Sequence, residues 1–205
     1  IDAATGGTGP EILQAQWDRL ITHLSELGTG GPAEAIDLVG YSRGAALARH
    51  FANDIAAQVR QGRFWQWVAG VGAVTACVDL RFMGLFDTVA QFGALGSKDP
   101  DYDFTIAPDW SLVAHAVSLH EQRLIMGLTL VANADGTLPA NAVEMPFVGS
   151  HGDIGGGFGD PTGNYRDLSD IPLAWMLARA REAGVPMREA LAAQQIVSDP
   201  TLNDK

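Results

Sequence analysis

Cysteine is nearly absent: Cys77 is the only one. A single thiol excludes an internal disulfide and a zinc–cysteine cluster. Positive charge is scarce too, with 13 Lys and Arg against 24 Asp and Glu and a formal net charge of −11. That balance argues against nucleic acid as a partner and against simple electrostatic adhesion to anionic lipid. It leaves a lipid substrate open, because an enzyme can meet a bilayer through an apolar lid. No apolar run reaches the ~18 residues of a membrane span, and no signal peptide is visible. H-E-x-x-H and the phosphate loop G-x-x-x-x-G-K are both missing, which removes the metalloprotease and NTPase readings. No metal and no cofactor are therefore expected. Repeats, low-complexity tracts and linkers are also lacking, so residues 1–205 are expected to form one domain with a sizeable core. The start at Ile1, without Met, reads as a fragment or a processed product.

What is present begins with Gly40-Tyr41-Ser42-Arg43-Gly44, a G-x-S-x-G pattern placed between an apolar run and a helix-like stretch. A serine on such a turn sits at the C-terminal end of a strand with its hydroxyl exposed. Glycines on either side suit a turn too tight for Cβ atoms. The following helix aims its N-terminal N–H groups at the point where an oxyanion would form. The backbone N–H of Arg43 is then one oxyanion donor. The second is expected from the Thr5–Gly9 loop or from a segment preceding Ile1.

Along the chain, Ile12, Leu13, Trp17, Leu20, Ile21, Leu24 and Leu27 recur at helical spacing, which predicts an amphipathic helix over 11–27. Residues 35–39 read as an interior strand and 43–61 as a helix with a small-residue face. Phe64, Trp65 and Trp67 read as core or subunit contact rather than a substrate platform. Residues 73–78 are ambiguous, and 78–89 form a strand ending in the carboxylate Asp87. Residues 91–102 are a loop long enough to begin a lid. Asp109 or Ser111 is expected to cap a helix reaching Gln122, and 124–132 to form another strand. A strand near 143–148 runs into the loop bearing His151, Asp153 and three glycines. Ser169 or Asp170 then caps a helix that ends at Gly184, and a shorter helix near 187–196 follows. Strands alternating with helices mean a mostly parallel α/β sheet covered on both faces, with ligands at the C-terminal strand ends.

A serine hydroxyl needs a base, and the base needs an orienting acid. Ser42, Asp87 and His151 all fall at the C-terminal ends of expected strands, in the order Ser, Asp, His of α/β-hydrolases. Asp79 and Asp153 remain alternatives for the acid, and His115 for the base. His23 and His50 lie within helices as packing or surface groups. His115 and His120, five residues apart on one expected helix, face different ways and make no metal pair.

Five stretches carry a family resemblance in order: G-Y-S-R-G-A at 40–45, F-M-G-L-F-D-T-V at 82–89, H-A-V-S-L-H-E-Q-R at 115–123, P-F-V-G-S-H-G-D-I-G-G-G-F at 146–158 and L-S-D-I-P-L-A-W-M at 168–176. Over about 35–180 the chain resembles the α/β-hydrolase domain of type VI secretion phospholipase effectors and related bacterial and fungal hydrolases. The resemblance matches Ser42 to the nucleophile and Asp87 and His151 to the acid and base. It implies a serine esterase acting on acyl lipids, a phospholipase of the A1/A2 type, secreted by a type VI system into the periplasm of a target cell. It also implies an immunity protein or a secretion-apparatus partner. Relatives carry an initial strand and an F-D-G-T-like loop associated with the oxyanion hole, so N-terminal strands are expected to lie outside this sequence. Where relatives often read S-I-D-E-R-R, this chain has S-L-H-E-Q-R, placing His120 at an acid's position. Other readings of the same residues are a carboxylesterase for small soluble esters, a cytoplasmic enzyme, and a non-catalytic hydrolase-fold binding module.

Overall fold

A computed structural model describes residues 8–27, 31–92, 101–156 and 168–187. Helix α1 (Gly9–Leu27) leads into strand β1 (Glu34–Tyr41), which turns at Ser42 into α2 (Arg43–Ala57). A short strand β2 (Val59–Arg60) and β3 (Arg63–Val68) then precede the 15-residue β4 (Gly72–Phe86). β5 (Leu112–Ser118), β6 (Ala142–Phe147), the short α3 (His151–Gly155) and α4 (Asp170–Glu182) complete the described elements.

β4 is the spine. Its second half pairs in parallel with β1 on one side and β5 on the other, and β5 pairs in parallel with β6. Its first half pairs antiparallel with β3, which pairs with β2. The β2–β3 hairpin turns on Gln61 and Gly62, both at positive φ (54° and 71°), the geometry of a two-residue hairpin loop that keeps the strand twist.

Parallel strands need cover on both faces. On one face α1 and α2 bury Leu24, Phe51, Ala52 and Ile55 against Leu80, Met83, Leu85 and Val113. On the other, α4 brings Met176 and Ala180 onto Phe82, Ala114 and Ala116, with Ile154 of α3. This is the α/β-hydrolase-like class expected from the sequence, with an added antiparallel hairpin. The small-residue face of α2 behaves as expected: Ala45, Ala46 and Ala52 are fully buried.

Two expected elements are corrected. Residues 109–122 do not form a helix; 112–118 are β5. Val113 through Ser118 are all buried, so the strand shows no polar alternation, and its apolar positions fall into helical spacing by coincidence. Residues 124–132 are not a strand: Leu124–Met126 is a 3-10 turn, and only an isolated bridge joins Val89 to Leu128. The ambiguous stretch 73–78 belongs to β4. Trp65 and Trp67, read as core or contact residues, are exposed on β3, whereas Phe64 is fully buried. The loop segments 93–100 and 157–167, the helix near 187–196 and most of the Thr5–Gly9 loop lie outside the described residues.

Candidate active site

The site is built at the C-terminal ends of β1, β4 and β6. Ser42 joins β1 to α2 at φ 58°, ψ −128°, a conformation that side chains rarely adopt. The turn holds it from several directions. Ser42 N–H donates to Phe86 O (2.9 Å), and Ser42 O accepts from Ala45, Ala46 and Val89 N–H (3.1, 3.3 and 3.2 Å). Gly40 is required by close approach, since a Cβ there would lie 2.6 Å from Ala45 Cα and Gly44 O. Gly44 is not: a Cβ at that position meets no atom within 4 Å. The expectation that both glycines answer to crowding thus holds for Gly40 alone.

Asp87 directly follows β4 at φ 43° and is 1% exposed. Its carboxylate accepts from three donors: Ser118 N–H on Oδ1 (2.6 Å), and Ser118 Oγ–H and His151 Nδ1–H on Oδ2 (2.8 and 2.7 Å). The bond to Asp87 places the proton of His151 on Nδ1, leaving the Nε2 lone pair for the Ser42 hydroxyl, 2.8 Å away. Ser42, His151 and Asp87, separated by 109 and 64 residues from His151, are therefore one hydrogen-bonded relay.

His151 opens α3, with Ser150 as N-cap and Asp153 completing a capping box. The ring of Tyr41 stacks on the His151 imidazole at 4.6 Å between centroids, and its hydroxyl donates to His151 O (3.0 Å). Burial, reinforced by the negative charge of Asp87, pushes the Tyr41 phenol up to about 12. α3 approaches Tyr41 so closely that a Cβ on Gly155 would overlap its ring. Glu121 Oε2 accepts the His151 backbone N–H (3.2 Å). A hydrogen-bonded ion pair with Arg123 holds the Glu121 carboxyl down at about 2.

The alternatives take other places. Asp153 bonds Ser150, and His151 Nδ1 is taken by Asp87. His115 is fully buried and bonded to Thr88 and Glu144. His120 accepts the Gly149 N–H through Nδ1 (3.2 Å) and so steadies the loop before His151. Tyr41, Ser118 and Glu121 escape a reading of the sequence as site residues. Ser118 becomes visible only once 112–118 is a strand, because its hydroxyl then lies at a strand end beside Asp87.

Arg43 is the first residue of α2, so its backbone N–H belongs to the helix N-terminus beside Ser42. Arg43 and Gly44 border a cavity of about 510 Å³ whose walls include Leu13, Leu38, Leu47, Phe51 and Phe92. Thr8 and Gly9, the described end of the Thr5–Gly9 loop, border the same cavity. Among the described residues no cluster of His, Cys, Asp and Glu is arranged to hold a metal.

Residues 64–179 match the model of the family described as T6SS, Phospholipase effector Tle1-like, catalytic domain. The chain belongs to the Tle1-like family. Among solved structures, an uncharacterized protein from Pseudomonas aeruginosa is similar at 29% identity and TM-score 0.59, over 87% of this chain and 26% of that one. The Tle1 effector, in a structure bound to the VgrG spike of the type 6 secretion system, shares the fold at TM-score 0.63 and 20% identity, over 96% of this chain and 57% of that one. This Tle1-like chain thus spans about a quarter and somewhat over half of the lengths of these two. None of the curated proteins compared with it matches. The family match begins at Phe64, so Asp87 and His151 lie inside it while Ser42 precedes it.

Proposed function

We propose that the chain is a lipid-hydrolysing catalytic domain that cleaves carboxylic esters through an acyl-serine. The Ser42–His151–Asp87 relay on a strained strand-to-helix turn carries this reading. Ser42 Oγ attacks the ester carbonyl carbon as His151 Nε2 takes its proton. Asp87 keeps the imidazole in the Nδ1–H tautomer and stabilises the imidazolium. The oxyanion of the tetrahedral intermediate is met by the Arg43 N–H, with the α1 end near Thr8 and Gly9 as the source of a second donor. Collapse breaks the ester C–O bond, and His151 returns the proton to the leaving alcohol. Water then attacks the acyl-serine with His151 again as base, releasing the acid and restoring Ser42.

The apolar cavity beside Arg43 and Gly44 favours an acyl chain in the substrate, and membership of the Tle1-like family favours a phospholipid of A1/A2-type cleavage. The same family relation supports delivery by a type VI system to a target-cell periplasm. A spike protein of that apparatus is then the partner in transit, and an immunity protein the partner in the producing cell. In this reading the domain carries no metal and no cofactor.

The deciding experiment is hydrolysis by the full-length protein and by Ser42→Ala, on a short-chain monomeric ester and on phospholipid vesicles. Loss of roughly 10³-fold or more in kcat with an unchanged unfolding midpoint is expected. Fluorophosphonate labelling should move with it. Unchanged hydrolysis in Ser42→Ala would refute the nucleophile. A rate that does not rise on vesicles would favour small soluble esters, and absence of both labelling and turnover would favour a binding module.

A further inference from the structure

A second histidine lies behind the relay. His115, in the middle of β5, is fully buried, and its two ring nitrogens are both engaged. Thr88 N–H donates to Nε2 (3.2 Å), and the Thr88 hydroxyl lies 3.0 Å from the same atom. A backbone N–H can only donate, so Nε2 is an acceptor and the proton is on Nδ1. That proton goes to Glu144 Oε2, 2.8 Å away on β6, where His115 and Glu144 are direct cross-strand partners. Glu144 Oε2 also accepts the Val131 N–H (2.8 Å).

The charged groups facing His115 are Glu144, Arg49 and Asp87. Arg49 is itself buried and donates to Thr129 O and Leu130 O. Burial pushes the His115 imidazole down from its ordinary range, consistent with the neutral tautomer that its hydrogen bonds require. At Glu144, burial opposes ionisation, but the bonds from His115 and Val131 outweigh it and hold the carboxyl below its usual range.

The position of Thr88 gives this arrangement its meaning. It is the residue after Asp87, which sits at φ 43°. One residue further, Val89 N–H bonds Ser42 O, and Thr88 O accepts from Thr129 N–H (2.8 Å). The turn bearing the acid is thus pinned on one side to the serine's turn and on the other, through His115 and Glu144, to the strand that leads to His151. We infer that His115, with Glu144 behind it, is a positioning residue that fixes the Asp87 turn so that Oδ2 meets His151 Nδ1. This rests on the serine-hydrolase reading only for its kinetic consequence; the geometric consequence stands without it.

The experiment pairs the two. Wild type, His115→Gln, Thr88→Val and Thr88→Ser, all in the full-length protein, are assayed on a monomeric ester. The downfield proton of the His151–Asp87 bond is followed by NMR, with Asp87→Ala to assign it. His115→Gln is expected to lower kcat by roughly 10- to 100-fold with KM within about 2-fold, the scale of a small misplacement of a reacting group. It should also broaden or abolish the downfield signal. Thr88→Val, nearly isosteric, should do the same more weakly, and Thr88→Ser should restore wild-type behaviour, so a folding failure of His115→Gln does not leave the question open. A wild-type downfield signal in His115→Gln, or in Thr88→Val where His115→Gln does not fold, overturns the inference. Wild-type kcat in that same variant does so equally. Turnover surviving in Ser42→Ala would instead overturn the serine reading, and the NMR arm would still judge His115.

Discussion

Asp87 is met by donors alone: the Ser118 N–H, the Ser118 hydroxyl and the His151 Nδ1–H. An amide cannot replace it, because its NH₂ would face a donor whichever way it turned. In Asp87→Asn the least costly escape is for His151 to change tautomer, putting Nε2–H toward Ser42 and leaving no base. We expect a fall of roughly 10³- to 10⁴-fold in kcat with little change in KM, measured on a monomeric ester. Glu121 supports the same histidine from its backbone side, and its role shows as a pH dependence. Its folded carboxyl, held at about 2 by Arg123, lies below an ordinary value of 4.5. A depressed carboxyl contributes stability above its unfolded value, and loses it as pH falls toward the folded one. Unfolding midpoints between pH 4.5 and about 2 should therefore fall more steeply for wild type than for Glu121→Gln. Equal slopes would remove Glu121 from the acid response. Of these residues, Ser42, Asp87 and His151, the three of the proposed relay, could be singled out in the sequence because each stands at an expected strand end in the Ser, Asp, His order of α/β-hydrolases. Glu121 and Ser118 were not, because their partners are a backbone N–H and a carboxylate brought near only by the sheet.

At the scale of elements, the β1–α2 turn makes a sharp distinction between its two glycines. Gly40→Ala places a Cβ against backbone atoms of Gly44 and Ala45, which cannot yield as a flexible side chain would. A loss of about 1–3 kcal/mol is expected from such overpacking. Gly44→Ala puts its methyl into open space within the first turn of α2 and is expected to be neutral or to stabilise by up to about 1 kcal/mol. Urea unfolding of the two variants checks the contrast; equal losses would contradict it. The same element shows why α1 and α2 could be read as helices. α1 and α2 each have one apolar stripe against the sheet and a polar side outward, so their period survives in the sequence. β5 is buried on both faces, which erases the alternation that marks a strand. Residues 124–132 have a strand-like composition, but the backbone groups of Thr129, Leu130 and Val131 bond to Arg49, Glu144 and Thr88 rather than to a neighbouring ladder.

Over the whole molecule, the sheet divides by the sequence distance its pairings span. The hairpin joins near neighbours: Arg60 faces Arg63, and Val68 faces Gly72. The parallel part joins distant ones: Glu34 faces Val78, Phe82 faces Leu112, and Val113 faces Ala142. The parallel order was legible where strand, helix and strand follow one another, at β1, α2 and β4, and not at β5, whose residues read as a helix. The hairpin was hidden because Phe64, Trp65 and Trp67 read as core or subunit contact, and of the three only Phe64 is buried. Closing a loop costs entropy before the contacts it permits can repay it, so local pairings form sooner than distant ones. Pulse-labelling by hydrogen exchange during refolding should therefore show amides of β3 and the first half of β4 protected ahead of those of β1 and β6. Simultaneous protection would contradict this order. Its consequence falls on the site. On that order a chain emerging from denaturant acquires the hairpin half of its spine early and its relay late, because His151 can meet Ser42 only after β6 has docked; a partly refolded population would look structured while remaining chemically silent.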